Sequence, residues 1–391
     1  MEWKIEPLGD IAFMTSGGTP SSKVSAYYEN GTIPWVRSGE LENGAIHDTE
    51  IKITQAGLDN SNAKIFPKGT LLIALYGATI GKLAYLGIDA CTNQAVCGIF
   101  ENDKVSLKYL YYYLLFHRPD LVKQGVGGAQ SNISQTILKK LMVSYPADHT
   151  EQLRIVARIE ELFSELENGV ETLRKTKRQL AVYRQAVLKD AFSGCDKQAS
   201  VSSVCTHVTD GDHMPPPKAA SGIPFIMISN IDGNRIDFSD TAFVGRDYYE
   251  NIDSKRRPQV GDVLYSVTGS FGIPVLVDFE KEFCFQRHIA LLRPNDSILS
   301  RYLYYAMQAP DVYAQASKGA TGTDQKTVGL TVLRKILIPY TKDKTEQEQI
   351  VREVENKMSV CDSIEKTVDA ALQQAEAMRQ SILKQAFEGS L

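Results

Sequence analysis

One long stretch of this 391-residue chain occurs twice, and no other feature of the sequence constrains the fold as much. Residues 150–194 and 345–389 align without a gap at a constant offset of 195, from a shared Thr-Glu-Gln to a shared Ala-Phe-x-Gly. Apolar residues recur at every seventh position of both copies: Ile159, Leu166, Leu173, Leu180 and Val187, then Val354, Cys361, Val368, Ala375 and Ile382. Such a repeat is typical of coiled-coil helices. The sequence therefore predicts long helices over 149–194 and 344–391.

Two arrangements of these helices are compatible with the pattern. Each helix can pack on its neighbouring domain, or the two related helices can pair with each other and act as a spacer. The repetition favours pairing. We expect Thr150 and Thr345 to cap the helix N-termini, and Gly194 and Gly389 to cap the C-termini. From Ile159 to Val187 the first helix would rise roughly 42 Å, at about 1.5 Å per residue.

The duplication extends, with gaps, into the segments that precede the helices. Matching motifs are Ile-Pro-Trp-Val at 33–36 and Ile-Pro-Phe-Ile at 223–226, Cys-Thr-Asn-Gln at 91–94 and Cys-Phe-Gln-Arg at 284–287, and Tyr-Leu-Tyr-Tyr at 109–112 and 302–305. We therefore predict a tandem duplication with a first head at 1–148 and a second head at 195–343. Short apolar runs bounded by Gly and Pro alternate with helical patterns, which indicates a mixed α/β fold in each head. The heads diverge more than the helices, which suggests that they recognise different things.

Composition and charge narrow the class of protein. The 43% hydrophobic and 23% charged residues are ordinary for a soluble globular protein. The six cysteines show no CxxC spacing, the N-terminus lacks a signal-peptide core, and no apolar run reaches membrane-spanning length, so we expect a cytoplasmic location. The net charge of −4 arises mainly from 345–391, where 5 basic residues face 9 acidic ones. Nearly neutral heads argue against tight nonspecific DNA binding and permit local basic patches.

The motifs of catalysis are absent or incomplete. The segment from Gly77 to Lys82 has one residue too few between its glycines for a phosphate-binding loop, and Leu83 stands where Ser or Thr would bind Mg²⁺. The histidines lack metal-ligand spacing, and Glu50-Ile51-Lys52, the ending of a nuclease motif, has no counterpart in the second copy. We therefore predict no catalytic residue, no metal and no cofactor.

Polar, glycine-flanked loops recur in both heads and are candidate DNA contacts. Gln and Asn can bond adenine bidentately, Lys and Arg can bond guanine, and hydroxyl groups can hold phosphates. The alternative is that these are ordinary surface loops or helix caps. The candidates are Tyr76, Lys82, Gln94, Gly127, Gly128, Gln130, Ser131 and Asn132 in the first head, and Lys255, Arg256, Arg257, Thr268, Arg287, Gly322, Thr323, Gln325 and Lys326 in the second. We expect the tyrosines at 109–113 and 302–305 to pack rather than to stack on bases.

The order of these motifs, present twice with both helices, resembles the specificity subunit of type I restriction–modification systems. The resemblance covers essentially the whole chain. It implies two mixed α/β target recognition domains, each reading one half of a bipartite DNA sequence. It also implies that the helices form an antiparallel coiled coil with pseudo-two-fold symmetry, which sets the spacing of the heads and docks two modification subunits. In that family methylation and cleavage reside in the modification and restriction subunits, the latter joining the full complex.

This chain departs from the pattern in the second head. Phe225 replaces Trp35, and a loop at Pro215-Pro216-Pro217 stands where we align Gly17-Gly18-Thr19-Pro20. Two other functions stay open from sequence: a catalytic fragment with nuclease or methyltransferase activity, and a structural coiled-coil scaffold.

Overall fold

The computed structural model describes residues 2–125, 132–195, 197–323 and 325–388. They form two compact units, Met1–Thr172 with Ala371–Leu391, and Leu173–Ala370. Each unit combines one head with part of both long helices, because the division falls within each helix. Both heads mix strands and helices, so the predicted α/β class is confirmed.

Within residues 2–125 and 132–148, the first head contains three sheets. Strands Trp3–Pro7 and Met142–Pro146 pair antiparallel next to the first long helix. A five-stranded sheet has the order Met14–Ser16, Val96–Ile99, Leu71–Ala74, Leu83–Leu86, Ala45–Ile46, and a four-stranded sheet has the order Lys52–Ile53, Ile33–Val36, Ala90–Thr92, Ile65–Phe66. The α-helices are Leu8–Ile11, Gln55–Asp59, Leu107–Gln124 and Gln135–Lys139, with 3₁₀ turns at Ser25–Tyr27, Ser38–Glu40 and Gly77–Thr79.

The second head is built in a related way. Strands Lys197–Ser200 and Leu337–Tyr340 form a two-stranded sheet, and Ile231–Asp232 and Arg235–Ile236 form a hairpin. A four-stranded sheet has the order Cys205–Asp210, Ile289–Pro294, Val263–Ser266, Pro274–Leu276, and a three-stranded sheet has the order Ala242–Val244, Ile223–Ile226, Cys284–Phe285. Its helices are Val201–Val204, Arg246–Asn251, Ser300–Ala306, Pro310–Gly319 and Leu330–Lys335, with 3₁₀ turns at Ile228–Asn230 and Ser254–Arg256.

The long helices span His149–Ala191 and Lys344–Phe387, and both begin one residue before the predicted cap. Asp148 and Asp343 are the actual N-terminal caps. Their carboxylates accept the backbone N–H groups of Thr150 and Thr345, each at 2.9 Å. The cap prediction was wrong by two residues, because each helix begins directly after the aspartate and the threonine N–H is itself one of the free donors of the first turn. The first long helix ends at Ala191, three residues before Gly194, so the C-cap prediction was wrong there, and Gly389 lies outside the described residues.

A buried glutamine fastens the start of each long helix to its head. Gln152 is fully buried; its amide donates to the carbonyls of Lys104 and Pro146, both at 2.9 Å, and accepts the N–H of Ser106 at 2.9 Å. Gln347, equally buried, does the same with Ser297 at 3.0 Å, Thr341 at 2.8 Å and Leu299 at 2.8 Å. The glutamine of the repeated Thr-Glu-Gln motif therefore makes three hydrogen bonds to backbone groups of the head, an arrangement called the clamp below.

The end of a long helix packs on a tyrosine-rich helix of the head in each unit, here called the aromatic helix, which is Leu107–Gln124 in the first and Ser300–Ala306 in the second. In the first unit the ring of Phe387 lies edge-on to Tyr109 and Tyr113, with centroids 5.3 and 5.1 Å apart. In the second, Phe192 lies edge-on to Tyr302 at 5.4 Å. These tyrosines are buried, as expected, and aromatic pairs of this geometry contribute about 0.5–1.5 kcal/mol beyond their buried area.

Most positions of the heptad pattern are buried, although they contact different partners. Ile159 and Val354 belong to the apolar cores of their own heads. Leu166 and Leu173 are only half-buried, whereas Val170, four residues after Leu166 and on the same helix face, is 6% exposed. The remaining buried positions are Leu180, Val187, Cys361, Val368, Ala375 and Ile382.

Ion pairs join the two helices within the second unit. Lys177 pairs with Asp369 at 2.7 Å, which raises the pKa of the lysine through that hydrogen bond, and Lys357 pairs with Asp190 at 3.3 Å. Arg184 bonds both Asp362 and Glu365 at 2.7 Å. Partner numbers fall on one helix as they rise on the other, so the segments run antiparallel here. Exposed pairs contribute only about 0–1 kcal/mol each, so they select the pairing more than they stabilise it.

None of the described helices combines the length and apolar character needed to cross a membrane.

We expect Gln152→Ala to lower the free energy of unfolding by about 2 kcal/mol, because a buried polar group left without its partner costs about 1–3 kcal/mol. Urea titration measures this loss. Gln185→Ala, at an exposed position of the same helix, is the matched control and should change the value by less than about 0.5 kcal/mol. Equal effects of the two substitutions would contradict the clamp.

Candidate nucleic-acid interface

Four segments of the first head meet at one end of its five-stranded sheet. They are 16–19, 75–82, 92–96 and the segment that starts at Asn132. Backbone hydrogen bonds hold them together: Gly18 to Thr92 at 2.9 Å, Gly17 to Val96 at 3.4 Å, Leu75 to Ala95 at 2.8 Å and Ile133 to Leu75 at 2.9 Å. Tyr76 and Asn132 form an isolated antiparallel bridge. We call this set the first loop cluster.

The second head assembles the same cluster from segments 210–214, 267–272 and 285–289 and from the described residues 321–323 and 325–328. The equivalent bonds run from Asp212 to Phe285 at 3.1 Å, Gly211 to Ile289 at 3.3 Å, Val267 to His288 at 2.9 Å and Val328 to Val267 at 2.8 Å. Thr268 and Thr327 form the bridge that Tyr76 and Asn132 form in the first head. Segments far apart in sequence thus converge in the same way in both heads, forming the second loop cluster.

The candidates of the first head that the structure describes all lie in the first loop cluster. Tyr76 is 36% exposed and Gln94 is exposed, whereas Lys82 and Asn132 are half-buried. The Thr19 hydroxyl donates to the Gln94 side-chain oxygen. Gly127, Gly128, Gln130 and Ser131 lie outside the described residues.

Most candidates of the second head belong to the second loop cluster. Arg287 is exposed, as are Gly322, Thr323, Gln325 and Lys326. Thr268 is only 9% exposed, and its hydroxyl accepts that of Thr327 at 3.3 Å. Thr268 therefore contributes to holding the cluster together, and the exposed groups around it are the ones that can reach a ligand.

The three side chains of the basic tripeptide Lys255–Arg257 have different environments in the structure. Arg257 donates to the carbonyl of Ile252 at 3.0 Å and lies over the ring of Tyr249, so its guanidinium is engaged within the head. Arg256 faces two carboxylates of the loop cluster, those of Asp210 at 3.5 Å and Asp212 at 3.7 Å. Lys255 is exposed.

Asp210 and Asp212 hold the second loop cluster in place. Asp212 accepts the Tyr248 hydroxyl at 2.5 Å, and burial together with this hydrogen bond raises the pKa of Tyr248. Asp210 accepts His213 Nε2 at 2.9 Å. Sequence reasoning missed both aspartates, because no spacing distinguishes them from surface carboxylates.

A glycine permits the closest backbone approach in each cluster. A Cβ on Gly17 would lie 1.9 Å from the Thr92 carbonyl oxygen, and one on Gly211 would lie 2.0 Å from that of Phe285. Gly211 therefore occupies the place of Gly17, and the alignment of the Pro215–Pro217 loop with Gly17–Pro20 was wrong. The prolines follow the equivalent segment and do not replace it, since a ring could not enter so close a contact.

The substitution of Phe225 for Trp35 removes one contact without changing the strand pairing. Trp35 pairs in parallel with Cys91, as Phe225 does with Cys284. Trp35 Nε1 donates to the Gly18 carbonyl at 2.9 Å and so holds the loop that contains Gly17 and Gly18. Phenylalanine has no donor, so the second head holds its loop through Asp210 and Asp212 instead.

The discarded catalytic motifs have structural roles. Glu50 pairs with Arg37, and Lys52 pairs with Asp48 at 3.0 Å, so both charged groups of the triplet are engaged in ion pairs within the head. Gly77–Thr79 is a 3₁₀ turn at the end of a strand. Within the described ranges, no three metal-ligating side chains converge.

We expect Gly17→Ala to lower the free energy of unfolding by about 3 kcal/mol, the upper end of overpacking costs, because the Thr92 backbone blocks the added methyl group. Gly39→Ala is the control in the same head, since nothing lies within 4 Å of its added Cβ. Calorimetric unfolding of both variants measures the difference. Similar stabilities would rule out the close approach.

Known proteins share both the sequence pattern and the fold. The family model described as type I restriction modification DNA specificity domain matches residues 1–173 and 216–374. The chain is 23% identical over 428 residues to the type I restriction enzyme EcoKI specificity subunit of Escherichia coli K12, and 25% identical over 426 residues to the StySPI specificity subunit of Salmonella potsdam. Each alignment covers 100% of this chain and 89% of the relative.

A solved structure supports the fold assignment. A chain from a study of complex assembly and conformational transition in the type I restriction–modification system superposes with a TM-score of 0.77 at 18% identity, covering 100% of this chain and 98% of that one. At this identity the likeness concerns the fold alone. The matched family model spans most of the sequence. The chain therefore belongs to the family of type I restriction modification DNA specificity domains, the non-catalytic subunits that give these systems their DNA sequence specificity.

Proposed function

We propose that the chain recognises a bipartite DNA sequence and that each loop cluster reads one half of it. The observation that carries this proposal is the pair of clusters themselves. Both are held by equivalent backbone hydrogen bonds, while the exposed side chains differ, with Tyr76 and Gln94 in one and Arg287, Gln325 and Lys326 in the other. A constant frame with variable polar tips suits the reading of two different sequences, because base edges are distinguished by donor and acceptor patterns.

The charge distribution supports recognition by local contacts. Neutral heads release few counterions on nonspecific DNA, so discrimination would arise from base contacts and much of the affinity from the assembled complex. In the second head Lys326 and Arg287 of the loop cluster and Lys255 outside it are exposed cations that can contact phosphates or bases.

We further propose that the long helices form an antiparallel coiled coil that spaces the two heads as a pseudo-two-fold pair. Buried heptad positions and the ion pairs of Lys177 and Arg184 support this pairing. The first helix, of 43 residues, is about 65 Å long at 1.5 Å per residue. This length suffices to separate two heads by one turn of DNA, about 34 Å.

The partners follow from this role. Two modification subunits would dock along the paired helices, one for each half of the site, and restriction subunits would join the full complex. The chain would act in the cytoplasm, where the DNA is. Methylation and cleavage would belong to the partners, in keeping with the structural roles of the discarded motifs above.

We expect that exchanging residues 1–148 for the first head of a relative with another specificity changes one half of the recognised sequence and leaves the other half unchanged. Mapping methylated adenines in genomic DNA, after co-expression with the modification subunits, identifies both halves. A second chimaera with residues 195–343 exchanged is the reciprocal control. An unchanged site in both chimaeras would favour a structural scaffold, and a change in both halves would show that the heads do not read independently.

A further inference from the structure

One turn has the same backbone geometry in both heads and differs at its tip. In the first head it spans 92–96 and carries Gln94; in the second it spans 285–289 and carries Arg287. The turn closes on itself through Val96 N to Asn93 O at 3.2 Å in the first head and Ile289 N to Gln286 O at 3.1 Å in the second.

Backbone hydrogen bonds to three neighbouring segments hold this turn in each head. In the first head the bonds are Asn93 N to Val36 O at 2.9 Å, Gly18 N to Thr92 O at 2.9 Å and Leu75 N to Ala95 O at 2.8 Å. In the second head they are Gln286 N to Ile226 O at 3.0 Å, Asp212 N to Phe285 O at 3.1 Å and Val267 N to His288 O at 2.9 Å. The tip residue is therefore held on a rigid frame, with only its side chain free to move.

The Arg287 side chain contrasts with the other arginines around it. Arg256 faces Asp210 and Asp212, Arg257 donates to a backbone carbonyl, and Arg293 forms two bonds of 2.8–2.9 Å with Asp262. The described residues offer Arg287 no ion-pair partner, and its side chain is exposed beside a cleft of about 370 Å³. Its backbone N–H is fixed by the Asp212 carbonyl at 3.1 Å, on the segment that Tyr248 and Arg256 hold.

Gln94 is presented in a comparable way. Its side chain is exposed, and the Thr19 hydroxyl bonds its amide oxygen, which orients the amide and leaves that oxygen one further lone pair. The amide nitrogen keeps both donors for a ligand. A preorganised tip of this kind loses little side-chain entropy when it binds.

We propose that the tip of this turn is a base-reading position in each head, with Gln94 reading an adenine of the first half-site and Arg287 a guanine of the second. The proposal rests on the bipartite recognition proposed above. Glutamine pairs bidentately with N6 and N7 of adenine, and the guanidinium fork pairs with O6 and N7 of guanine, both in the major groove. Because the frame is common to the two heads, a single substitution at the tip changes the preferred base.

The test uses the full chain assembled with its modification subunits. Fluorescence anisotropy measures the Kd for duplexes in which each base pair of the mapped site is replaced in turn, at one salt concentration. The wild-type complex should lose roughly 10- to 100-fold in affinity when the guanine read by Arg287 is replaced. Arg287→Ala should abolish that loss at one pair of the second half-site and keep discrimination throughout the first. Gln94→Ala should abolish discrimination at one A·T pair of the first half-site and keep discrimination throughout the second.

Arg235→Ala is the matched control, since Arg235 is an exposed arginine of the same head on a hairpin that is not one of the segments of the loop cluster. It should leave every position discriminated. If Arg287→Ala instead weakens binding to all duplexes by the same factor and lowers the salt dependence by about one counterion, Arg287 contacts a phosphate and the inference is wrong. Discrimination retained at every pair would also overturn it. A wild-type complex that binds all duplexes equally would overturn the proposed function itself.

Discussion

The buried amide of one glutamine in each unit is the interaction on which the rest of the architecture depends. Gln152 and Gln347 sit in the first turn of a long helix, where backbone N–H groups lack partners within the helix, and each reaches three backbone groups of its head. Only a side chain with both donor and acceptor satisfies this set. The start of the helix is thereby fixed to the loop that opens the aromatic helix of the head. Any spacing function of the helices requires such a rigid joint.

A second constraint concerns the loop clusters. Their backbones are tied by hydrogen bonds between segments that are distant in sequence, and Gly17 and Gly211 permit the closest approach. Because the backbone satisfies its own polar groups, the side chains at the tips do not contribute to holding the fold. They can differ between heads at little cost in stability. This separation explains how a duplicated domain keeps its frame while its candidate reading residues diverge.

Different side-chain contacts hold the loop clusters of the two heads. The first uses the indole N–H of Trp35 on the Gly18 carbonyl, and the second uses the carboxylates of Asp210 and Asp212 on Arg256, His213 and Tyr248. The second arrangement places charged carboxylates within the cluster and leaves Arg287 as a cation that the described residues do not neutralise. Local electrostatics therefore differ between the clusters more than the total charge of the heads indicates.

The sequence by itself determined the duplication, the two long helices, the mixed α/β class and the family, because heptad periodicity and ordered motifs are local and survive divergence. It also predicted that the tyrosines at 109–113 and 302–305 pack within the heads. Tertiary structure alone decided which loops meet, that Gly211 and not the proline loop matches Gly17, that Asp148 and Asp343 cap the helices, and that Arg257 is engaged internally whereas Arg287 is exposed. The physical reason is that these outcomes depend on contacts between segments tens of residues apart. Which polar residue finds a partner, and which is left for a ligand, is settled only when those segments come together.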